Sequence, residues 1–172
     1  HFHYVVAPGS IFAFFAGVYH WYPKATGRIM SDFLGKLHFW PSLIGMNLVF
    51  APMFIQGMGG FHRRWYDGGK YFEQTSSASN WFTELTSGFF GIFGMDVPYN
   101  LLGLNVLMTF GAVILMLGQV PFILNFWLSI KGGKKVESDN PWNCTTLEWA
   151  TPTPPPHGNF TFDIVAVRGP YE

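Results

Sequence analysis

Three long apolar stretches dominate the pattern of hydrophobic and polar positions along the chain. Residues 2–22, 37–61 and 97–130 contain no Asp, Glu, Lys or Arg. A helix needs about 20 apolar residues to cross a hydrocarbon core of about 30 Å, and each stretch is long enough. The pattern therefore predicts an all-α membrane protein with three transmembrane helices, at about 2–22, 33–59 and 98–130.

The polar segments divide the chain into two predicted regions. We expect a transmembrane helical region over residues 1–136 and an extended polar tail over 137–172. The tail contains the run Thr151-Pro152-Thr153-Pro154-Pro155-Pro156, and proline-rich segments favour extended structure over a packed core. A short apolar run at 88–94 cannot cross a membrane, so we expect it at the interface or in a re-entrant turn.

Features within the three stretches predict helix packing. Pro8 cannot donate a hydrogen bond to the carbonyl of Tyr4, which predicts a bend one turn past the start of the first helix. A stripe of small residues on that helix predicts close approach by another helix. Amides inside the stretches are expected to turn toward neighbouring helices rather than lipid. The stripe is Gly9, Ala13 and Gly17, and the amides are Asn47, Gln56, Asn105 and Gln119.

Composition supports the membrane class and excludes others. Hydrophobic residues make up 49% of the chain and charged residues only 12%, which is too little charge to cover a water-facing surface. The formal net charge is zero, so nucleic acid is not an expected partner. A single cysteine, Cys144, excludes an internal disulfide and a multi-cysteine metal site. The chain lacks a signal-peptide pattern and begins within an apolar stretch, as a piece of a longer protein would.

The distribution of basic residues predicts the orientation in the membrane. The first connecting loop and the segment after the third stretch share six cations, whereas the second connection holds three. These six are Lys24, Arg28, Lys36, Lys131, Lys134 and Lys135. Because loops on the cytoplasmic side carry the excess of Lys and Arg, we place this side in the cytoplasm or matrix. Lipid headgroups are the expected contacts of the lysine cluster at 131–135.

Two histidines at the start of the first stretch are the main candidates for chemistry. His1 and His3 flank Phe2. Each residue of a helix turns by about 100°, so these two imidazoles point to nearly opposite faces and cannot share one metal ion. Two separate centres fit this spacing, and a neutral imidazole is a common axial ligand of haem iron. Plain packing is the alternative, although unpartnered polar groups are costly inside a membrane.

Two adjacent arginines lie at the predicted outer end of the second helix. Arg63 and Arg64 lie on the side of the membrane that carries fewer basic residues. Their predicted depth in the membrane is close to that of the two histidines. Arginine binds anions through charge-assisted hydrogen bonds, so haem propionates and lipid headgroups are equally good candidate partners.

The motifs and their order resemble the C-terminal part of cytochrome c oxidase subunit one, the catalytic subunit of the haem-copper oxidases. The motifs are His1-Phe2-His3-Tyr4-Val5, His20-Trp21, Lys36-x-His38-Phe39 and Arg63-Arg64, and the tail motifs are Asn140-Pro141-Trp142, Thr145-Thr146-Leu147-Glu148-Trp149 and Pro154-Pro155-Pro156-His157-Gly158. The tail is similar to that of bacterial members. The chain departs from the family at Ala7-Pro8, at His62 and in the length of the segment 73–96.

The resemblance implies roles for five residues. The catalytic residue would be His1, as proximal ligand of the high-spin haem that binds oxygen, and His3 would be an axial ligand of the low-spin haem. Phe2 would lie between the two haems, and Arg63 and Arg64 would hold haem propionates. The haems are expected to be A-type. The copper centre would be ligated by residues outside this chain.

The resemblance also implies a function and a setting. The three helices would be the last of a twelve-helix bundle in a respiratory cytochrome c oxidase, an oxidoreductase that reduces oxygen to water and pumps protons. Expected partners are the remaining helices of subunit one, the other oxidase subunits, cytochrome c and membrane lipid, in the bacterial plasma membrane or the mitochondrial inner membrane. The chain alone is not expected to be active. A quinol oxidase of the same family and a cofactor-free membrane scaffold or transporter segment are the alternatives.

Overall fold

The computed structural model describes residues 2–61 and 81–160 of the chain. The first helical segment comprises α1 (Phe2–Val6), a π-helical turn (Ala7–Phe12) and α2 (Ala13–Thr26). It is followed by α3 (Asp32–Met58), α4 (Trp81–Ile92), α5 (Gly103–Gly132) and a short 3₁₀ helix (Leu147–Ala150).

The prediction of three helices able to span a membrane is confirmed. By length and composition, Phe2–Thr26, Asp32–Met58 and Gly103–Gly132 each qualify. The first runs past its predicted end to Thr26 and stops where Gly27 adopts a left-handed φ of 66°, a conformation that favours glycine. The third begins five residues later than predicted, at Gly103, because the Asn100 side chain instead accepts the amide hydrogen of Leu102 in a turn.

The first helical segment is interrupted where Pro8 removes a hydrogen-bond donor. The interruption takes the form of the π-helical turn Ala7–Phe12, in which the wider turn accommodates the missing donor. At the two glycines of the small-residue stripe, no other helix approaches closely among the described residues. A Cβ added at Gly9 meets nothing within 4 Å, and one at Gly17 meets only the ring of Trp21.

The chain forms two compact units, which draw on the same three long helices. The first unit comprises His1–Pro8 and Phe39–Gln119, and the second comprises Gly9–His38 and Val120–Glu172.

In the first unit, α3 and α5 approach each other through glycines. A Cβ added at Gly45 would lie 2.7 Å from the Leu115 nitrogen and 2.8 Å from the Gly111 oxygen. A Cβ at Gly111 would lie 2.6 Å from the Cβ of Leu48. The two backbones can therefore come this close only because both positions lack a side chain.

The four amides all form hydrogen bonds between helices in the first unit, as predicted. Gln56 donates through Nε2 to Asn105 Oδ1 (2.9 Å) and to the Leu101 carbonyl (2.8 Å). Gln119 donates to Ser42 Oγ at 3.0 Å. The fourth amide, Asn47, accepts the Tyr4 hydroxyl.

The short helix α4 buries three hydroxyl side chains together with the ring of Phe90. Thr83, Thr86 and Ser87 are buried, and Ser87 donates through Oγ to the Val97 carbonyl at 2.9 Å. Ile92, in contrast, is 81% exposed. Residues 88–92 of the apolar run are thus the last residues of α4, and Gly94, whose φ is 73°, lies in the turn that follows.

In the second unit, the first loop pairs with the segment after α5. Arg28 and Lys135 form an antiparallel β-bridge. The Ile29 amide donates to the Lys134 carbonyl at 2.9 Å, and the Val136 amide donates to the Gly27 carbonyl at 3.0 Å. The two basic segments therefore lie at one end of the helices, as the alternation of three spans predicts.

The described part of the tail differs from the expected extended segment. Trp149, in the 3₁₀ helix, is 2% exposed, and Trp142 donates through Nε1 to the His20 carbonyl at 3.0 Å. Tryptophan supplies enough apolar area to pack against the end of α2 even between prolines.

Candidate functional site

His3 lies on α1 and presents an exposed imidazole. The edge of the Phe2 ring meets it at 5.4 Å between centroids and 86° between planes. The ring of Phe50, on α3, lies nearly parallel to it, at 6.4 Å and 11°. The imidazole forms no hydrogen bond with any residue in 2–61 or 81–160.

The local backbone at this site is helical, as the argument from spacing requires. Residues Phe2–Val6 form α1, so Phe2 and His3 point in directions about 100° apart. His1 lies outside the described residues, and its direction relative to His3 stays a prediction. Arg63, Arg64 and His62 also lie outside them, so the proposed propionate contacts stay predictions too.

A layer of contacts behind His3 ties α1 to α3. The Tyr4 ring meets the rings of Phe50 and Phe54 edge-on, at 6.3 Å and 5.7 Å. The Tyr4 hydroxyl donates to Asn47 Oδ1, and Asn47 Nδ2 donates to the Leu43 carbonyl at 2.8 Å. The sequence predicts that Asn47 faces another helix, but it carries no signal for Tyr4 or Phe50 as partners.

The donor chemistry of the site fits one axial position of a haem. A neutral imidazole offers one nitrogen lone pair to iron, and His3 has an exposed ring with no competing hydrogen bond among the described residues. No group of three or more His, Cys, Asp or Glu residues that could hold a metal ion occurs within the described part of the chain.

A second polar cluster surrounds Lys24 in the second unit. Lys24 is 5% exposed, and its ammonium donates to the carbonyls of Thr151 and Asp139 and to Thr153 Oγ1. The ammonium also lies 5.6 Å from the centroid of the Trp149 ring, within the range of a cation–π interaction. The sequence predicts that Lys24 is a cation near the membrane interface. In the structure, Lys24 is buried and its hydrogen bonds connect the end of α2 to the tail.

The basic end of the second unit carries a polar groove and an ion pair. The groove has a volume of about 750 Å³, and its lining includes Arg28, Lys135 and Asp139. Lys134 pairs with Glu137 at 2.7 Å, and the hydrogen bond between them raises the pKa of the lysine and lowers the pKa of the carboxyl. Both side chains are exposed, so this pair adds little to stability.

The His38 side chain is buried in the second unit, unlike the exposed imidazole of His3. It is 3% exposed, lies 3.2 Å through Nδ1 from the Tyr19 hydroxyl, and contacts the rings of Phe15 and Phe122. These contacts give His38 a packing role in the second unit. His157 is exposed and lies far along the chain from the site.

Comparisons with known proteins place these features in one family. The family model described as cytochrome c and quinol oxidase polypeptide I matches residues 1–114. Cytochrome c oxidase subunit 1 of Synechocystis sp. is 42% identical over 173 residues, and the match covers 100% of this chain and 26% of that protein.

Other subunit 1 proteins match in the same way. That of Thermostichus vulcanus is 37% identical, with 100% of this chain and 26% of the relative covered. That of Alkalihalophilus pseudofirmus is 33% identical, with 93% and 21% covered. The chain thus spans about a quarter of the length of the curated relatives it matches.

Proposed function

Because the chain belongs to the family of cytochrome c and quinol oxidase polypeptide I, we propose that it is part of a haem-copper oxidase and supplies axial histidines to its haems. His3 carries this proposal. It would ligate the low-spin haem, and the support is an exposed imidazole without a hydrogen-bonding partner among the described residues, on a helix apolar enough to span a membrane. An imidazole in that setting is costly unless it binds something.

Four further residues complete the proposed site by resemblance. His1 would ligate the high-spin haem, and Arg63 and Arg64 would hold haem propionates through charge-assisted hydrogen bonds. Phe2 would lie between the two haems. Its ring is 62% exposed beside His3, which leaves it free to contact a bound group.

The residues of this chain would act by holding, orienting and shielding. When bound, the haems and the copper centre carry electrons to oxygen and reduce it to water. The His3 imidazole would offer its nitrogen lone pair to the iron, and the rings of Phe2 and Phe50 pack beside it. Tyr4 and Asn47 hold the backbone that carries the imidazole.

The wider proposal places the chain in a proton-pumping respiratory oxidase. Its partners would be the remaining helices of subunit one, the other oxidase subunits, cytochrome c and lipid. The haems would be A-type, the copper ligands would come from outside this chain, and the membrane would be the bacterial plasma membrane or mitochondrial inner membrane. The bacterial relatives support the first of these membranes.

Reduced-minus-oxidised spectra of the isolated complex test the haem assignments. We expect the low-spin haem signal to be lost in His3→Ala and the oxygen-reactive high-spin signal to be lost in His1→Ala. His157→Ala is the matched control, because that histidine is exposed in the tail, and both signals should remain. Retention of both signals in the His1 and His3 variants would overturn the proposal in favour of a packed, cofactor-free segment.

A quinol oxidase is the second candidate, because the matching family description covers both electron donors. The cytochrome c oxidase and quinol oxidase proposals share the same haem ligands and differ only in the electron donor. Oxygen uptake by the purified complex with reduced cytochrome c, compared with uptake with a quinol, separates them.

A further inference from the structure

An axial imidazole needs something to fix the plane of its ring. The ring can rotate about the bond to the metal, and proteins usually limit this rotation with a hydrogen bond to the second ring nitrogen. His3 forms no such bond with any residue described in 2–61 or 81–160. Among the described residues, the plane of the His3 ring is therefore set by side chains that pack against it.

Phe50 is the residue placed to do so. Its ring is nearly parallel to the imidazole, at 11° and 6.4 Å between centroids, whereas Phe2 meets the imidazole edge-on. A parallel ring on one side and a perpendicular ring at the edge together restrict rotation, because turning the imidazole would bring its edge toward the face of Phe50.

Phe50 is itself held by a contact between α1 and α3. The Tyr4 ring meets Phe50 edge-on at 6.3 Å and 85°, and the Tyr4 hydroxyl donates to Asn47. Asn47 lies three residues before Phe50, so it occupies the same side of α3. Asn47 also donates to the Leu43 carbonyl at 2.8 Å, which leaves its amide oxygen directed at Tyr4.

We propose that Phe50 is a positioning residue for the His3 imidazole, and that the hydrogen bond from Tyr4 to Asn47 holds Phe50 and His3 in register. The proposal rests on His3 being an axial ligand. It adds that the plane of the imidazole, and with it the electronic structure of the bound iron, is set by an aromatic ring on the adjacent helix.

Electron paramagnetic resonance of the oxidised complex measures that plane. The π orbital of an axial imidazole mixes with iron d orbitals according to the direction of the ring plane, so the g-values of a low-spin ferric haem shift when the ring turns. We expect Phe50→Leu to keep its low-spin haem but to show shifted g-values and broader lines. Phe50→Tyr, which keeps the ring, should restore the wild-type g-values.

Phe54→Leu is the matched control. Phe54 lies one turn further along α3 and contacts the Tyr4 ring, so a general loosening of the packing would affect both variants. Wild-type g-values in this control, together with shifted values in Phe50→Leu, support a specific role for Phe50. Equal shifts in the two leucine variants overturn that role.

The outcomes separate this inference from the function on which it rests. If His3→Ala keeps the low-spin signal, the ligand assignment fails. If His3→Ala loses it while Phe50→Leu keeps wild-type g-values, the ligand assignment stands and the positioning role fails. Should Phe50→Leu not assemble, Tyr4→Phe decides, because it removes only the hydroxyl. Shifted g-values or broader lines in the Tyr4→Phe variant support the inference, and an unchanged spectrum overturns it.

Discussion

At the scale of single residues, Lys24 illustrates how a buried charge can be held by hydrogen bonds to the tail, with the carboxylates of Asp139 and Glu148 nearby. Its ammonium has three hydrogens, and three oxygens of the tail accept them, at Thr151, Asp139 and Thr153. The face of Trp149 adds a cation–π contact. A buried charge is tolerated when it is fully hydrogen-bonded, so this residue connects the end of α2 to a tail that is otherwise rich in proline.

Lys24→Met should release the tail. The substitution keeps the length of the side chain but removes three charge-assisted hydrogen bonds, which costs on the order of 3 kcal/mol. If the tail detaches and reattaches faster than the protease cuts it, limited proteolysis should cleave the tail of the variant roughly a hundredfold faster than that of the parent complex. Lys36→Met is the control, since Lys36 forms only an exposed pair with Asp32, and such pairs contribute about 0–1 kcal/mol. Equal cleavage in the Lys24 variant and the parent complex would contradict the anchor.

The residues of the candidate site could be predicted only in part from the sequence. The spacing of His1 and His3 around Phe2 is a local signal, because helical geometry turns it directly into directions. Phe50 carries no such signal. It is one of 19 phenylalanines, and only the packing of α1 against α3 selects it. The acceptors around Lys24 are more than 110 residues away along the chain, where no periodicity connects them.

At the scale of the helices, close backbone contact and amide pairing hold α3 and α5 together. Gly45 and Gly111 permit the contact, and Gln56 bridges to Asn105 and to the Leu101 carbonyl. The amide pairing could be expected from the sequence, since polar groups in a span need partners. The glycine contact could not, because the visible small-residue stripe lies on the first helical segment instead.

Gly45→Ala should weaken the packing of α3 on α5. The added Cβ would lie 2.7 Å from the Leu115 nitrogen, and a backbone atom cannot rotate away, so we expect a loss of about 1–3 kcal/mol. Gly57→Ala provides the comparison on the same helix, because its Cβ would meet nothing within 4 Å. Thermal denaturation of the detergent-solubilised complex should show a lower midpoint for the first variant and no decrease for the second.

Gln56 and Asn105 should be energetically coupled. In a double-mutant cycle with Gln56→Leu and Asn105→Leu, we expect a coupling energy of about 0.6–1.7 kcal/mol, the range measured for hydrogen bonds between membrane helices. Gln56→Leu alone should cost more than Asn105→Leu, because it also leaves the Leu101 carbonyl without its donor. Additive losses in unfolding experiments would show that the amides do not interact.

At the scale of the whole chain, basic residues gather at one end of the helices. The pairing of residues 27–29 with 134–136 brings two basic segments together, which is the arrangement that the distribution of Lys and Arg predicts. The helix count and the placement of the two basic segments at the same end follow from composition and alternation alone, whereas their pairing does not. The buried Trp149 does not, because its packing depends on where the end of α2 lies.

Labelling of introduced cysteines tests the orientation. Ser138 and Tyr99 are both exposed, and α5 separates them by about 45 Å of helix. With a membrane-impermeant maleimide and peptide-level mass spectrometry, we expect Ser138→Cys to react only from the cytoplasmic or matrix face and Tyr99→Cys only from the opposite face. Reaction of both positions from the same face would contradict the predicted orientation.

The β-bridge between Arg28 and Lys135 also sets an order for biosynthesis. The ribosome makes Arg28 before Lys135, which lies just past the third long helix, so the bridge can close only after that helix has been synthesised. Until then, the connection between the first two long helices has the amides and carbonyls of the bridge free for water. Closure of the bridge therefore follows the synthesis of all three long helices.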